Sequence, residues 1–238
     1  MKKTKKIVSL IPARGGSKGL PNKNLYNLYG KPLIEYAINA SKYSSIINET
    51  YVSTEDHDIK DFSLSKGVMV IDRPPEIASD TSSTEEAMMH FAEQIDFDII
   101  VLIQLTSPLI SSQQLDDGIN QFISHSHMFN SAMTVINTDD ILLWENIGNR
   151  SSTSGSNGIS SYNNCKPLNY DPNNRGRRQD RKSSYFIETG GFFITTKEQL
   201  ISTNCRISGN IMFIEVPFWT MFQVDSLLDL KMIEKLMK

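Results

Sequence analysis

The sequence predicts an α/β fold in which a mostly parallel β-sheet is covered by helices on both faces. Between residues 7 and 136, short apolar runs alternate with stretches whose apolar residues recur at helical spacing. Parallel strands need long crossover connections, which are usually helices, and helices on both faces bury the strands between them. The length of 238 residues suits one domain, and the chain contains no internal repeat. We therefore predict a single domain over residues 1–238 with one inserted segment.

The predicted strands and helices alternate through the first half of the chain and resume near its end. Residues 7–11 are a β-branched apolar run that ends at Pro12, which is typical of a buried strand. The first helix opens at Pro32, because proline suits a first helical turn and the following apolar residues share one face. The other predicted strands are 51–53, 68–71, 99–105, 131–136, 191–195 and 212–216. The other predicted helices are 56–66, 83–95, 113–124 and a final helix from Ser226 that directs Leu227, Leu230, Ile233, Leu236 and Met237 toward the core.

A polar insertion interrupts the alternation after Asn137. Residues 146–184 are dominated by Ser, Asn, Gly, Arg and Lys, and residues 151–164 have low complexity. A polar segment of this length inside a compact domain is usually a lid, a protruding arm or a disordered stretch. We predict that residues 138–186 form an inserted arm or lid.

The composition argues against several classes of protein. The 24 Lys and Arg and 27 Asp and Glu residues give a net charge of −3, so no overall positive charge indicates nucleic-acid binding. Cys165 and Cys205 lie far apart and form no CxxC pair, which argues against a disulfide framework or a zinc site. The apolar run 7–11 is too short for a signal peptide, and no stretch is long enough to span a membrane. We expect a cytoplasmic protein without a membrane or nucleic-acid partner.

A glycine-rich, basic loop follows the first predicted strand. Residues 12–24 contain three glycines and the cations Arg14, Lys18 and Lys23. Ligands of open parallel sheets bind beyond the carboxyl ends of the strands, where this loop lies. Glycines let backbone N–H groups turn toward an anion, so the loop is suited to a polyphosphate. The alternative is a basic, solvated turn, since neither GxxxxGK[ST] nor GxGxxG is present.

This loop resembles the signature of the CMP-acylneuraminate synthetases, the sialic-acid-type cytidylyltransferases. The resemblance starts with IPARGGSKG at residues 11–19 and KN at 23–24. It continues in the same order along the chain with GKPLI at 30–34, STED at 53–56, RPPEIASD at 73–80, QLTSPL at 104–109 and RRQD at 177–180. It implies a fold of the nucleotide-diphospho-sugar-transferase type, with a protruding dimerisation arm and therefore a homodimer.

The resemblance implies roles for residues that would bind the nucleotide CTP. Attack on an α-phosphate needs charge neutralisation and a stabilised pyrophosphate leaving group. In the family the first loop holds the triphosphate, which here implies Arg14, Ser17 and Lys18, with Lys18 and Arg14 as the catalytic cations. The other implied nucleotide-binding residues are Lys23, Asn24, Arg73, Ser82 and Thr84. The 82–84 turn has an alternative role as a helix cap, because Ser83 suits a helix start.

The resemblance also implies residues that would bind the sugar. In the family the segment after the strand predicted at 99–105 faces the sugar, and the arm delivers a basic residue toward the partner's active site. The implied sugar-binding residues are Gln104, Thr106, Ser107, Thr189, Gly190 and Arg178. Thr189 is a departure, because the family commonly has Asn before this glycine, and a hydroxyl lacks the paired donor and acceptor of an amide. A simple strand-ending turn is the alternative for residues 104–107.

A magnesium site is implied just before the last helix, where the sequence departs from the family again. The family typically has two aspartates separated by one residue, and here Gln223 and Asp225 occupy those positions. Mg²⁺ needs only one or two carboxylates when phosphates and waters complete its octahedron. We therefore predict Asp225 as a ligand, with Gln223 contributing an amide oxygen or holding a coordinated water. The alternative role for Asp225 is a helix N-cap ahead of Leu227.

Together these residues predict an enzyme that joins CTP to an acidic nine-carbon sugar of the sialic, legionaminic or pseudaminic acid type and releases pyrophosphate. The nearest alternative is a cytidylyltransferase for an eight-carbon octulosonate (KDO-type), against which the Ser17-Lys18 pair and the RRQ segment argue. An alternative of another class is a non-catalytic CTP-binding dimer. Gln223 favours that alternative, whereas it is opposed by Arg14, Ser17, Lys18 and Asp225.

Overall fold

The computed structural model describes residues 5–16, 19–138, 141–147, 165–180 and 185–238. The chain divides into two compact units, Met1–Ile136 with Glu188–Lys238, and Asn137–Ile187. Within the described ranges, no helix is both long enough and apolar enough to cross a membrane.

The described ranges contain eleven strands and six α-helices. The strands are β1 (Ile7–Pro12), β2 (Asn27–Leu28), β3 (Lys31–Pro32), β4 (Glu49–Thr54), β5 (Met69–Asp72), β6 (Ile99–Ile103), β7 (Ser131–Thr138), β8 (Trp144–Asn146), β9 (Cys165–Pro167), β10 (Tyr185–Thr196) and β11 (Ile211–Glu215). The helices are α1 (Leu33–Lys42), α2 (His57–Ser65), α3 (Thr84–Gln94), α4 (Ser112–Ser124), α5 (Lys197–Thr203) and α6 (Leu227–Leu236).

Seven strands form one sheet in the order β11-β7-β10-β6-β1-β4-β5. β1 pairs in parallel with both β4 and β6, and β4–β5 and β7–β11 are also parallel pairs. β10 pairs antiparallel to β6. The prediction of a mostly parallel sheet is therefore confirmed, and β1 lies near its centre.

Alternate residues of β1 face opposite layers of helices. Leu10 belongs to a buried cluster with Phe91 of α3 and Leu200 of α5. Ser9 faces the other way, and its hydroxyl lies 2.6 Å from the hydroxyl of Ser41 in α1. Because successive side chains of a strand point to opposite faces, α3 and α5 cover one face and α1 covers the other. This arrangement confirms the predicted helices on both faces.

The last helix faces the core with fewer residues than the sequence predicts. Leu230 and Ile233 are buried, but Leu227 and Leu236 are each about half exposed. Residues spaced by three drift around a helix by about 60° per step, because one residue turns the helix by about 100°. Four such positions therefore cannot share one face, and the prediction is wrong for the two outer leucines.

In the larger unit, one short hairpin and one short α-helix were not predicted from the sequence. β2 and β3 form a two-stranded hairpin whose turn places Tyr29 and Gly30 at positive φ values of 47° and 86°. Helix α5 has only seven residues and begins after Thr196, whose hydroxyl accepts a hydrogen bond from the Gln199 N–H at 3.1 Å. Elements this short carry little periodicity, and their turn and cap residues are the main signals.

The smaller unit contains an antiparallel pair formed by β8 and β9. Glu145 lies opposite Lys166 in this pair, and their charged groups are 2.9 Å apart. The rings of Trp144 and Tyr170 pack edge to face with centroids 5.8 Å apart. The roles predicted for residues 138–186, dimerisation or closure over the site, stay predictions.

Asp116 of α4 fixes the chain that follows α1. One carboxylate oxygen accepts a hydrogen bond from the Ser44 hydroxyl, and the other accepts from the Ser45 N–H at 2.9 Å and the Ser45 hydroxyl at 2.7 Å. Burial alone would raise the pKa of Asp116, but these hydrogen bonds outweigh it and lower the pKa below its ordinary value. Folding therefore favours the ionised carboxylate.

We expect Asp116→Asn to lower the free energy of unfolding by about 1–2 kcal/mol at pH 7, because the amide accepts fewer hydrogen bonds. A lowered folded-state pKa contributes stability that is present above the unfolded-state value of roughly 3.9 and is lost as the pH falls through the folded value. Urea unfolding should therefore show the difference from wild type shrinking below about pH 4. Asp117→Asn, at the exposed neighbouring position, is the control at pH 7. A difference for Asp116→Asn that does not change with pH would contradict the assignment.

Candidate functional site

A cleft of about 420 Å³ lies in the larger unit, at the carboxyl ends of the adjacent strands β1 and β6. β4 lies on one side of β1 and β6 on the other, so the strand order reverses direction at this point. Open α/β sheets bind their ligands at such a reversal, beyond the carboxyl ends of the strands. The cleft is lined by Pro12, Arg14, Gly19, Lys23, Asn24, Thr84, Gln104, Leu105, Thr106 and Asp225.

The cleft brings together seven residues that the sequence predicts for the site: Arg14, Lys23, Asn24, Thr84, Gln104, Thr106 and Asp225. Among the described residues, six other predicted ones lie outside its lining: Arg73, Ser82, Ser107, Thr189, Gly190 and Gln223. Ser17 and Lys18 lie outside the described residues. Arg178 begins a short 3-10 helix, Arg178–Asp180, and its side chain is likewise outside what the structure describes.

Two cations of the first loop are held in the cleft by carboxylates from distant segments. Arg14 Nη1 lies 2.8 Å from Asp80 Oδ1, and Lys23 Nζ lies 3.0 Å from Asp225 Oδ1. The Lys23 side chain is only 16% exposed, whereas that of Asp225 is 72% exposed. Ion pairs that are open to solvent contribute only about 0–1 kcal/mol. A bound anion could therefore replace Asp80 or Asp225 as the partner of its cation at little energetic cost.

The loop keeps its shape through one buried amide and one close backbone approach. Asn24 is 6% exposed, and its amide nitrogen donates to the Arg14 carbonyl oxygen at 2.7 Å. A Cβ at Gly19 would lie 2.8 Å from the Asp225 carbonyl oxygen, so only glycine permits this approach. The loop after β1 and the segment before α6 therefore meet through their backbones.

Arg73 and Glu55 lie beneath the loop. Arg73 is 6% exposed and donates from Nε to the Ser53 hydroxyl at 3.0 Å and from Nη2 to the Ser53 carbonyl at 2.7 Å. Burial lowers the pKa of Arg73, and nearby Arg14 lowers it further, while Glu55 opposes both. Arg73 is held against Ser53 and is not in the lining of the cleft, so a direct contact of Arg73 with a nucleotide stays a prediction.

Glu55 is a site residue to which sequence reasoning gave no role. Its Oε1 accepts a hydrogen bond from the Gly15 N–H at 2.7 Å, and its buried Oε2 has no hydrogen-bond partner in the described part of the structure. The available signal was its place in the STED segment, directly after β4, which is the neighbour of β1 in the sheet. Glu55 therefore holds the loop after β1 through its hydrogen bond with Gly15.

The start of α3 gives the 82–84 turn two functions. The Ser83 hydroxyl accepts from the Glu86 N–H at 3.2 Å, and the Glu86 carboxylate accepts from the Ser83 N–H at 2.6 Å, which completes a capping box. The alternative of a helix cap is thus confirmed at Ser83. Thr84 lines the cleft, whereas the Ser82 hydroxyl accepts from the Ser79 N–H at 3.1 Å within the preceding turn.

The residues predicted to bind the sugar separate into a partly buried set that lines the cleft and a fully buried set. Gln104 and Thr106 line the cleft. Ser107 is 3% exposed, and its hydroxyl donates to the Gly190 carbonyl at 3.5 Å. Thr189 is 2% exposed, and its hydroxyl donates to the Thr134 hydroxyl at 2.7 Å. Ser107 and Thr189 therefore connect segments behind the wall of the cleft that Gln104 and Thr106 form.

Gly190 is confined between two glutamine side chains. Its φ is +68°, a value that favours glycine. A Cβ at this position would lie 2.4 Å from Gln223 Nε2 and 3.2 Å from Gln104 Oε1. Gln223 Nε2 donates to the Thr189 carbonyl, and Gln223 Oε1 accepts from the Thr106 hydroxyl at 3.3 Å.

Asp225 fits a magnesium site of the kind that phosphates complete. The cap of α6 is Ser226, whose hydroxyl accepts from the Asp229 N–H at 3.3 Å, so the alternative of Asp225 as the N-cap is wrong. Its carboxylate is exposed in the cleft beside Lys23. The described residues contain no group of three or more His, Cys, Asp or Glu side chains suited to a metal. One carboxylate nevertheless suffices for Mg²⁺ when phosphates and waters supply the remaining oxygens.

Comparison with known proteins identifies the family. Residues 8–204 match a family model described as cytidylyltransferase. The chain belongs to the cytidylyltransferase family. The chain is 32% identical over 198 residues to N-acylneuraminate cytidylyltransferase A of Danio rerio. The aligned region covers 83% of this chain but only 43% of that protein. The chain thus spans less than half the length of this relative.

Two further similarities extend the comparison. The chain is 31% identical over 135 residues to a pseudaminic acid cytidylyltransferase of Campylobacter jejuni subsp. jejuni serotype O:23/36 (strain 81-176), covering 54% of this chain and 58% of that protein. A solved CMP:2-keto-3-deoxy-manno-octonic acid synthetase complexed with CTP superposes with a TM-score of 0.69 at 18% identity, covering 98% of each chain. At that identity the superposition shows that this cytidylyltransferase shares the fold.

We expect Gly190→Ala to destabilise the protein by more than its positive φ alone requires. Gly30 has a φ of +86° with no atom near its Cβ position, so Gly30→Ala measures the backbone cost, about 1–2 kcal/mol. Gly190→Ala should lower the free energy of unfolding by a further 1–3 kcal/mol or so, because its Cβ collides with Gln223. Urea unfolding of both variants makes the comparison, and equal losses would contradict the packing around Gly190.

Proposed function

We propose that this cytidylyltransferase joins CTP to an acidic nine-carbon sugar of the sialic, legionaminic or pseudaminic acid type, forming the CMP-sugar and pyrophosphate. The proposal is carried by the composition of the cleft: Arg14 and Lys23 come from the loop after β1, and Gln104 and Thr106 come from the segment after β6. Cations suit a triphosphate, and amide and hydroxyl groups suit a polyhydroxylated sugar. The relatives named for N-acylneuraminate and pseudaminic acid support the choice of sugar.

The reaction needs positioning and charge neutralisation from the protein. The sugar hydroxyl oxygen forms a bond to the α-phosphorus, and the bond from that phosphorus to the oxygen bridging the β-phosphate breaks. Pyrophosphate leaves with the bonding electron pair, and the hydroxyl proton passes to water. No covalent intermediate with the protein is required, so cations near the phosphates and an aligned hydroxyl supply the catalysis.

The residues of the first loop have separate roles in binding and catalysis. Arg14 and Lys23, near the two ends of the loop, both line the cleft, where they would bind the triphosphate. Ser17 and Lys18 lie between them in the sequence, and we propose that Lys18 is the cation nearest the developing charge. Asn24 keeps the Arg14 backbone in place through its buried amide.

Magnesium, a homodimer and a cytoplasmic location complete the proposal. Asp225 would hold Mg²⁺ in the cleft, and the ion would neutralise negative charge on the phosphates. Arg178 and the rest of residues 138–186 would contribute to the homodimer and to the partner's sugar site, as the family resemblance implies.

Pyrophosphate release from CTP and Mg²⁺ tests the function directly. The acceptors are a panel of sialic, legionaminic and pseudaminic acids with one octulosonate. We expect release with one of the nine-carbon acids, and the best acceptor identifies the sugar. Release with the octulosonate alone would favour the eight-carbon alternative. CTP binding without release from any acceptor would favour a non-catalytic CTP-binding protein.

We expect Lys23→Met to weaken CTP binding about ten-fold, which corresponds to about 1.4 kcal/mol, because one charge-assisted contact to phosphate is lost. Calorimetric titration with CTP measures the change. Lys31→Met removes the same charge at an exposed position of β3 outside the cleft and should leave CTP affinity within about two-fold, since surface charges are screened. Equal losses for the two variants would show that the effect is one of net charge.

A further inference from the structure

Gln223 and Asp225 are two residues apart, yet they take different positions relative to the cleft. Asp225 lines the cleft with 72% of its side chain exposed. Gln223 is half-buried and, among the described residues, is not part of the lining. Val224 between them is fully buried, and its N–H donates to the Thr106 carbonyl oxygen at 2.8 Å. This anchor fixes the backbone on which the two side chains diverge.

The orientation of the Gln223 amide follows from its partners. The Thr189 carbonyl oxygen can only accept a hydrogen bond, so the amide nitrogen is the end that faces it. The amide oxygen is then directed toward the Thr106 hydroxyl, from which it accepts at 3.3 Å. Turning this oxygen elsewhere would break the contact with Thr106, and reversing the amide would bring two oxygens together at Thr189.

The same amide also supports the wall of the cleft that Gln104 and Thr106 form, called the sugar-side wall below. It packs against Gly190, where no Cβ could be accommodated, and Gly190 in turn packs against the Gln104 side chain. Thr106 and Gln104 both line the cleft. A displacement of Gln223 would therefore reach both lining residues, one through a hydrogen bond and the other through Gly190.

We propose that Gln223 is a positioning residue, not a metal ligand, and that it holds Gln104 and Thr106 in place for the sugar while the cation depends on Asp225. The role toward the sugar rests on the proposed function. The bridge, meaning the hydrogen bonds that join Gln223 to Thr106 and Thr189, does not. A carboxylate at residue 223 could not make the bridge, because it would place negative charge against the Thr189 carbonyl. The amide is thus required by the structure around it.

The bridge has a consequence for the metal. With Gln223 committed to Thr106 and Thr189, the protein offers the cation one carboxylate, that of Asp225, from the described cleft. Mg²⁺ bound through one carboxylate takes its other ligands from phosphates and water. With Asp225 as its one carboxylate ligand, the protein alone would hold such a cation weakly, and bound CTP would have to supply further oxygens.

The bridge is tested first without metal or nucleotide, by urea unfolding of Gln223→Ala, Thr106→Val and the double variant. Each single variant leaves a polar atom of its partner unpaired, so each should lower the unfolding midpoint. Because the two side chains interact, the double variant should lower it by less than the sum of the two single shifts. Strictly additive shifts would overturn the bridge, whatever reaction the protein catalyses.

The metal assignment is tested by titrating Mn²⁺ in the presence of CTP and following free Mn²⁺ by electron paramagnetic resonance. We expect Gln223→Ala to leave the Mn²⁺ affinity within about two-fold and Asp225→Asn to weaken it about ten-fold or more, since only the second removes a ligand. Equal weakening by both variants would make Gln223 a ligand and overturn the proposal. Failure of the wild-type protein to bind CTP at all would contradict the proposed function, while the unfolding cycle would still decide the bridge.

The sugar-side role is tested by kinetics with the acceptor that the panel identifies. Gln223→Ala should raise KM for that sugar about ten-fold and change KM for CTP less than about two-fold, because the wall that it positions contacts the sugar alone. Gln223→Glu keeps the length and one oxygen but loses the donor, so it should not restore the sugar KM. A wild-type sugar KM for Gln223→Glu would overturn the proposal.

Discussion

The parallel pairing of β1 with β6 is the constraint on which the site depends. Leu10 lies opposite Leu102, so the two strands end at one edge of the sheet. The loop carrying Arg14 leaves from β1, and the segment carrying Gln104 leaves from β6, with the cleft between them. Because the strand order reverses here, the connections of the two strands run in opposite directions and leave room for a ligand. The strand ends therefore bring the cations and the amide and hydroxyl groups to one cleft, and the buried Asn24 amide and Gly19 fix the shape of the loop that carries the cations.

The location of residues that directly follow strands could be predicted from the sequence, whereas the burial of polar residues such as Arg73 and Thr189 could not. Arg14 and Gln104 were predicted at the sheet edge because a strand's end fixes where the chain emerges. Arg73 and Thr189 were grouped with the site by resemblance, yet each is buried against a neighbouring strand. Their partners are distant in the sequence, and Arg73 lies 20 residues from Ser53. Sequence patterns carry no record of such pairings.

The sequence before α6 offers two adjacent candidates for the helix cap. Asp225 and Ser226 are both good capping residues, and the sequence alone left Asp225 with two roles. Asp229 decides between them, because a capping box needs an acceptor three residues after the cap, and that spacing selects Ser226. The signal was present in the sequence as Ser226-x-x-Asp229. With the cap assigned to Ser226, the carboxylate of Asp225 is left in the cleft beside Lys23.

The charges of the cleft are distributed unevenly, and this distribution fits two acidic substrates. The charged residues Arg14 and Lys23 come from the first loop and Asp225 from the segment before α6, while Gln104 and Thr106 after β6 are neutral. A triphosphate needs cations, but a sugar hydroxyl that attacks phosphorus needs alignment more than charge. A neutral wall held by hydrogen bonds supplies alignment without placing an anion near a carboxylated sugar. An amide at residue 223 is consistent with that requirement, because it fixes the wall and adds no negative charge behind it.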